Sequence, residues 1–166
     1  MNQNKKIKVL FVCMGNICRS PTADAVFRHL VKETGVDHLI HVDSAGTHAY
    51  HIGNPPDHRT QNTALQRGYK MHDLRARAVQ PSDFEEFDYI LAMDKENLSL
   101  LQQRSPQQHL GKIQLFMQYS TQADPDVEVP DPYFGGHHGF ELVLDMVEEA
   151  SQGLLAHLRN NIKEIF

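Results

Sequence analysis

The sequence lacks several features that define large classes of protein. Its 166 residues contain no tryptophan and two cysteines, Cys13 and Cys18, which lie too close together for a framework of structural disulfides. No stretch approaches the roughly 20 apolar residues that a membrane-spanning helix needs. We therefore expect a cytoplasmic protein with no membrane partner.

Excess positive charge is also missing. The formal net charge is −5, so no overall basic field favours a nucleic-acid partner. The phosphate-binding motif G-x-x-x-x-G-K-[ST] is absent, which excludes the common nucleotide-binding loop. Eleven histidines occur, but none has the H-E-x-x-H or C-x2-C spacing of a zinc site, so we expect no metal site. An anionic ligand would have to be bound by a local arrangement of residues.

Short apolar runs alternate with amphipathic segments along the chain. This alternation predicts one α/β domain over residues 1–166, in which helices cover both faces of a parallel sheet. Ser20 is the predicted N-cap of the first helix, and Gly35 is predicted to end that helix. The predicted strands are 6–12, 39–42, 89–93 and 113–116, and the predicted helices are 21–34, 57–67, 95–103 and 140–162.

The segment from Cys13 to Arg19 joins the first strand to the first helix. In parallel sheets, ligands bind beyond the carboxyl ends of the strands, where this loop is expected to lie. Successive backbone N–H groups of such a loop can form an anion-binding concavity, and Gly15 and Asn16 tolerate the left-handed backbone that a tight loop often needs. Arg19 can add a planar pair of donors that matches two phosphate oxygens. The loop therefore predicts a site for a tetrahedral oxyanion.

A cysteine at the base of such a loop is suited to covalent chemistry. Donors that surround Cys13 favour its thiolate, and a nucleophile inside an oxyanion site is typical of phosphoryl transfer through a cysteinyl-phosphate. That mechanism also needs an acid for the leaving oxygen and then a base for water. Asp131 is the candidate, because Pro130 and Pro132 stiffen its backbone. Tyr133 and Phe134, which follow it, are candidates for an aromatic slot.

Taken together, these residues resemble the low-molecular-weight protein tyrosine phosphatases over nearly the whole chain. The resemblance rests on the motifs CMGNICRSP, DSAGT, LAMD and PDPY, which occur in that order. It implies a four-stranded parallel sheet of the flavodoxin-like type, without a cofactor. It also implies hydrolysis of phosphotyrosine in a protein substrate by a monomer, with inorganic phosphate as product and inhibitor.

The resemblance also assigns roles to individual residues. It implies that Cys13 is the nucleophile, that Arg19 binds phosphate and that Asp131 is the general acid and then the base. Cys18 matches the partner that can form a disulfide with Cys13 under oxidation. Residues that match those supporting the loop are Gly15, Asn16, Ser20, Ser44 and His72, and residues that match the walls of the substrate slot are Met14, Ile17, Tyr50, Tyr133 and Phe134.

Three other functions are compatible with the same loop. A protein-arginine phosphatase is less favoured, because related arginine phosphatases typically have threonine where Ile17 stands. An arsenate reductase of the related type needs further cysteines downstream, and none follows Cys18. A redox-gated module that binds phosphorylated ligands would need neither Cys13 nor Asp131. Tyr50 stands where many relatives have tryptophan, which leaves the substrate preference open.

Overall fold

A single parallel sheet forms the centre of the protein. The computed structural model describes residues 6–124, 126–132 and 136–161. The strands are β1 (Ile7–Cys13), β2 (Ile40–Gly46), β3 (Tyr89–Ala92) and β4 (Ile113–Leu115), in the spatial order β2-β1-β3-β4. All three pairings are parallel, and the register aligns Cys13 with Gly46. The predicted four-stranded parallel sheet is confirmed.

Helices cover both faces of this sheet. They are α1 (Arg19–Glu33), α2 (His58–Gln66), α3 (Pro81–Glu86), α4 (Lys95–Arg104) and α5 (Gly136–Asn161), and Gln107–Lys112 and Phe116–Tyr119 form 3-10 helices. None of the helices within the described residues is long and apolar enough to cross a membrane. The sequence patterns predicted all of these elements except α3 and the two 3-10 helices.

Strand β1 is apolar along most of its length because its side chains are buried on both sides of the sheet. On one side, the ring of Phe11 lies 5.8 Å from that of Phe27 and 5.0 Å from that of Phe116. On the other side, Leu10 and Val12 belong to a separate buried cluster. Burial of this kind is the main source of stability for a central parallel strand. The carboxyl end of β1, at Cys13, is therefore held on a rigid base.

Asp83 differs from its predicted surroundings. The cluster Asp83, Glu85, Glu86 and Asp88 reads as a solvated acidic face, but Asp83 is only 4% exposed. Its carboxylate accepts hydrogen bonds from the backbone N–H of Gln80 at 2.7 Å and from Arg77 Nη1 at 2.9 Å. The prediction for Asp83 is wrong because a short helix, α3, turns this residue inward to face an arginine.

Candidate active site

The site begins where β1 ends, at the carboxyl edge of the sheet. The loop after β1 is fixed to the loop after β2 by two backbone hydrogen bonds, from Thr47 N–H to the Cys13 carbonyl at 2.9 Å and from His48 N–H to the Met14 carbonyl at 3.0 Å. Gly46 permits this contact, since a Cβ atom there would lie 2.7 Å from the Met14 carbonyl oxygen. The two loops are therefore one packed unit.

Asn16 connects the loop after β1 to three other segments of the chain. Its backbone has φ 60°, which makes it the one non-glycine residue with positive φ in the described part of the chain. Its side-chain Nδ2 donates to Ser20 Oγ at 2.7 Å and to Ser44 Oγ at 3.0 Å, and its Oδ1 accepts from the backbone N–H of Arg77 at 3.0 Å. Because a backbone N–H can only donate, this last bond fixes the orientation of the amide. The buried side chain of Asn16 thus holds the loop in its strained conformation.

The hydroxyl of Ser20 points toward the nucleophile candidate. Its Oγ lies 3.0 Å from Cys13 Sγ, and the Ser20 N–H lies 3.5 Å from the same sulfur. Since Ser20 Oγ already accepts from Asn16, its own proton is available for the sulfur or for the Ala45 carbonyl at 3.4 Å. The predicted N-cap role of Ser20 is wrong, because α1 begins one residue earlier, at Arg19, and Cys18 occupies the N-cap position.

Gly15 is needed for space and not for backbone freedom. Gly15 and Asn16 are both residue types that tolerate a left-handed backbone, and Asn16 adopts it, but among the glycines of the described residues the positive φ angles belong to Gly35, Gly53 and Gly68. A Cβ atom on Gly15 would lie 2.9 Å from Cδ2 of His51. The ring of His51 therefore packs directly over the loop.

Arg19 is buried and anchored on one side. Its Nη1 donates to Asp94 Oδ2 at 2.6 Å and to the Val129 carbonyl at 3.1 Å. Burial would lower the pKa of this guanidinium, but the negative charges of Cys13 and Asp94 outweigh burial and raise it. Both contacts use Nη1, so within the described residues Nε and Nη2 have no protein hydrogen bond. These remaining donors can serve an anion in the cleft.

Asp94 has two roles. Its Oδ1 accepts from the Asn97 N–H at 2.7 Å, so Asp94 is the N-cap of α4. Its second oxygen holds Arg19, a role that the sequence did not reveal. One carboxylate thus fixes both a helix end and the arginine of the site.

Cys18 has surroundings unlike those of Cys13. Both cysteines are free and buried. Burial, which outweighs a hydrogen bond from Thr60, raises the pKa of the Cys18 thiol to about 12, and the negative charges at Asp57, Cys13 and Asp131 add to this effect. Cys18 is therefore a neutral thiol at physiological pH.

A cleft of about 100 Å³ opens over the loop and brings most of the predicted residues together. A buried water needs roughly 10–15 Å³ by this kind of measure, so the cleft can hold a phosphate-sized group. Tyr50 is 70% exposed and stands at its edge. The residues that line it are Cys13, Met14, Gly15, Ile17, Cys18, Arg19, Tyr50, His51 and Asp131.

Some predicted residues lie elsewhere. His72 is exposed in a turn, and within the described residues its side chain makes no hydrogen bond to the loop; the backbone N–H of Arg77 contacts Asn16 instead. Tyr133 and Phe134 lie outside the described residues. Among the residues that are described, no group of three His, Cys, Asp or Glu could hold a metal ion.

Sequence reasoning missed Arg77. Its guanidinium bonds to Asp43 Oδ2 at 3.0 Å and to both carboxylate oxygens of Asp83, at 2.9 and 3.1 Å. Its backbone carbonyl accepts from Gly46 N–H at 2.8 Å, while its N–H serves Asn16. Arg77 therefore braces both loops of the site, although it lies 61 residues from Asn16 and 31 residues from Gly46 along the chain. Its sequence signal is a charge near two acidic residues.

The fold and this cleft define a class of site in which a cysteine lies at the base of a loop suited to bind an oxyanion. Comparison with known proteins identifies the family to which the chain belongs. The family model described as low molecular weight phosphotyrosine protein phosphatase matches residues 8–164. The chain therefore belongs to this family. A relative from Streptomyces coelicolor, named low molecular weight protein-tyrosine-phosphatase, is 44% identical over 158 residues, which cover 94% of this chain and 96% of the relative.

Similarity extends to human and protozoan proteins. The human low molecular weight phosphotyrosine protein phosphatase is 47% identical over 137 residues, which cover 81% of this chain and 85% of the human one. A crystal structure of a protein tyrosine phosphatase from Entamoeba histolytica superposes with a TM-score of 0.90 at 41% identity, covering 95% of this chain and 99% of that one.

Proposed function

We propose that the cleft hydrolyses phosphotyrosine monoesters in proteins through a cysteinyl-phosphate intermediate. The observation that carries this proposal is the position of Cys13 Sγ, which has the Ser20 hydroxyl at 3.0 Å and shares one cleft with Arg19 and Asp131. The names of the relatives, which are protein tyrosine phosphatases, support the same substrate. Aryl phosphates of similar shape are expected to be substrates too.

In the first step, Cys13 Sγ attacks phosphorus. The new S–P bond forms as the P–O bond to the tyrosyl oxygen breaks, and Asp131 donates its proton to that oxygen. Arg19 and the backbone N–H groups of the loop hold the three peripheral phosphoryl oxygens through the in-line transition state. The products of this step are tyrosine and the cysteinyl-phosphate.

In the second step, water attacks the same phosphorus. The Asp131 carboxylate takes the proton of the water, the S–P bond breaks, and inorganic phosphate leaves with the sulfur returned to its anionic state. Ser20 Oγ, which receives a hydrogen bond from Asn16, can direct its own proton to that sulfur in both steps. The hydroxyl stabilises the sulfur as a leaving group as well as a nucleophile.

The substrate ring would lie between the cleft and its rim. Tyr50 stacks on His48 with the ring centroids 5.1 Å apart and the planes 13° apart, so its face is held in a defined direction. Met14 and Ile17 line the cleft below. We expect Tyr50 and Ile17 to select an aromatic phosphomonoester, with Tyr133 and Phe134 as further walls of the slot.

Several finer expectations remain part of this proposal. Inorganic phosphate is expected to inhibit as product, because the loop that binds the phosphoryl group also binds free phosphate. Cys18 is proposed to form a disulfide with Cys13 under oxidation, which would protect Cys13 from irreversible damage. We also propose that residues 1–166 form one phosphatase domain that acts as a monomer in the cytoplasm, which the family match over residues 8–164 and the two free thiols support.

Phosphate release from a phosphotyrosine peptide in EDTA tests the proposal. Phosphoserine and phosphoarginine peptides are run beside it, with Cys13→Ser as the control variant. We expect turnover that is selective for phosphotyrosine and absent from Cys13→Ser, which should still bind phosphate. Faster turnover of phosphoarginine would indicate an arginine phosphatase, arsenate-dependent disulfide formation would indicate a reductase, and phosphate binding without any turnover would indicate a binding module.

A further inference from the structure

One buried acidic side chain takes no part in the proposed reaction steps. Asp24 lies in α1 and is fully buried, and its Oδ1 accepts a hydrogen bond from Arg28 Nη2 at 2.7 Å. The same nitrogen donates to the Val42 carbonyl of β2 at 3.2 Å. Alternate residues of a strand point to the same face, so Val42, which packs in one buried cluster with α1, and Ser44 both face that helix. Asp24 therefore lies beside the end of β2 that leads to the active site.

The second oxygen of this carboxylate has no close partner. Asp24 Oδ2 is buried, and among the described residues no group makes a hydrogen bond of ordinary length and angle to it. The hydroxyl of Ser44 is near enough to donate a longer one. Burial raises the pKa of Asp24 to about 6 and the charge of Asp43 adds to this effect, although Arg28 and the Ser44 hydroxyl act in the opposite direction. At neutral pH, Asp24 is therefore mostly an ionised acceptor with one oxygen left for Ser44.

Hydrogen bonds run in one direction from this carboxylate to the sulfur of the site. Asn16 Nδ2 can only donate, and it donates to Ser44 Oγ at 3.0 Å and to Ser20 Oγ at 2.7 Å. A carboxylate can only accept, so the single proton of Ser44 is directed to Asp24 and its lone pairs face Asn16. Ser20 accepts from Asn16 in the same way, and its own proton is then left for Cys13 Sγ at 3.0 Å. Each group thus fixes the polarity of the next.

We propose that Asp24 is a positioning residue: it orients the Ser44 hydroxyl and thereby keeps a proton directed at the Cys13 sulfur. Asn16 and Ser20 carry this effect between them. Asp24 does not line the cleft, so it acts without contact with the substrate. The inference rests on the proposed function, but the effect on the sulfur exists without substrate. The reactivity of Cys13 toward an alkylating reagent therefore tests it separately from turnover.

Asp24→Asn tests the proposal without a change in side-chain size. The new amide has a single oxygen, which the cation of Arg28 attracts, so its NH2 group faces Ser44 and the polarity is reversed there. We expect kcat for a phosphotyrosine peptide to fall about tenfold with KM changed less than twofold, and iodoacetamide to alkylate Cys13 about fivefold more slowly at pH 6. Ser151→Ala, which removes a buried hydroxyl in α5, is the control and should leave both rates unchanged. Thermal unfolding verifies that each variant is folded.

A double-mutant cycle with Ser44→Ala separates positioning from a general effect on the fold. Because Asp24 is proposed to act through Ser44, Asp24→Asn should change kcat less than twofold once Ser44→Ala is present. A tenfold fall in both backgrounds would overturn the proposal, and so would unchanged kcat and alkylation in Asp24→Asn alone. If the unaltered protein does not hydrolyse phosphotyrosine, the proposed function fails, and the alkylation rates still decide whether Asp24 acts on the sulfur.

A rescue variant gives a result that a purely structural role does not predict. In Asp24→Asn/Arg28→Met, the amide oxygen is free to accept from Ser44, and the NH2 group can donate to the Val42 carbonyl that Arg28 has left. We expect kcat to return to within about threefold of the unaltered protein, although the fold is less stable. This variant also serves if Asp24→Asn alone does not fold. A kcat that stays tenfold or more below that of the unaltered protein would contradict the proposal.

Discussion

The floor and the rim of the active site are built in opposite ways. On the floor, Asn16, Arg19 and Ser20 are at most 4% exposed, and each makes side-chain hydrogen bonds to other parts of the protein. On the rim, Tyr50 is 70% exposed, and its contacts are ring contacts with neighbouring histidines. The floor is therefore fixed before substrate arrives, while the rim can vary without loss of the fold. Changes to the floor should alter rates, and changes to the rim should alter which substrates bind.

The largest expected effect is a difference in reactivity between the two cysteines of the floor, Cys13 and Cys18. At pH 8.5 a thiol with a pKa of about 12 is ionised in fewer than about one molecule in a thousand, whereas an ordinary thiol is half ionised. Cys13 Sγ instead lies near two groups of Ser20 that can donate hydrogen bonds to a negatively charged sulfur, the side-chain hydroxyl and the backbone N–H. We expect iodoacetamide at pH 8.5 to label Cys13 at least 100-fold faster than Cys18, as measured by mass mapping of the peptides. Comparable rates at the two positions would contradict the contrast, and Cys18→Ser should leave the total early labelling unchanged.

Removal of Asp131 should have the next largest effect. A positioned acid contributes roughly 10²–10⁴-fold to a rate when the leaving group needs a proton. We expect Asp131→Ala to slow hydrolysis of phenyl phosphate about 100-fold or more. An activated ester such as p-nitrophenyl phosphate, whose leaving group needs less protonation, should be slowed far less. Equal slowing of both esters would remove Asp131 from the acid role.

Much of this floor could be predicted from sequence because its constraints are local. An apolar strand, a five-residue loop and a helix are consecutive in the chain, so Cys13 and Arg19 had to lie together. The predicted N-cap role of Ser20 was wrong because Ser-Pro is typical of a helix start, whereas the Ser20 hydroxyl lies 3.0 Å from Cys13 Sγ.

Contacts between distant segments could not be predicted in this way. Arg77 contacts Asn16 across 61 residues, and helix α3, which positions Asp83, is too short to show a periodic pattern. No sequence pattern places His51 near residue 15, yet its ring lies 2.9 Å from the position that a Cβ atom on residue 15 would take. The contacts that the sequence did not predict therefore join segments that are far apart in the chain, or involve residues at the rim.

Arg77 supports the floor although it does not line the cleft. Arg77→Met would leave Asp83 buried without its cation, which we expect to destabilise the fold by about 2 kcal/mol, less than a fully buried pair because Arg77 is partly exposed. The backbone N–H that donates to Asn16 Oδ1 remains in the variant, but the segment that carries it loses its side-chain contacts to Asp43 and Asp83. Asn16 would then be held less firmly, so kcat should fall about tenfold with little change in KM. Steady-state kinetics and thermal unfolding measure the two effects.

Arg75→Met is the matched control for this variant. Arg75 is exposed and donates to the carbonyls of His72 and Leu74, so its loss should change stability by less than about 0.5 kcal/mol and leave kcat unchanged. A fall in kcat of the same size in both variants would show that Arg77 does not position the loop.

Tyr50 offers the smallest effect and the most direct test of the rim. An aromatic contact contributes roughly 0.5–1.5 kcal/mol beyond its buried area, which corresponds to about 2- to 12-fold in affinity. We expect Tyr50→Ala to raise KM for a phosphotyrosine peptide within that range, with kcat unchanged and with the inhibition constant of inorganic phosphate unchanged, because free phosphate contacts the floor alone. Ile52→Ala, at a neighbouring exposed position, should leave all three quantities as they are. A change in phosphate inhibition by Tyr50→Ala would mean that rim and floor are coupled, since a residue that contacts only the ring of the substrate has no means of altering the binding of a free anion.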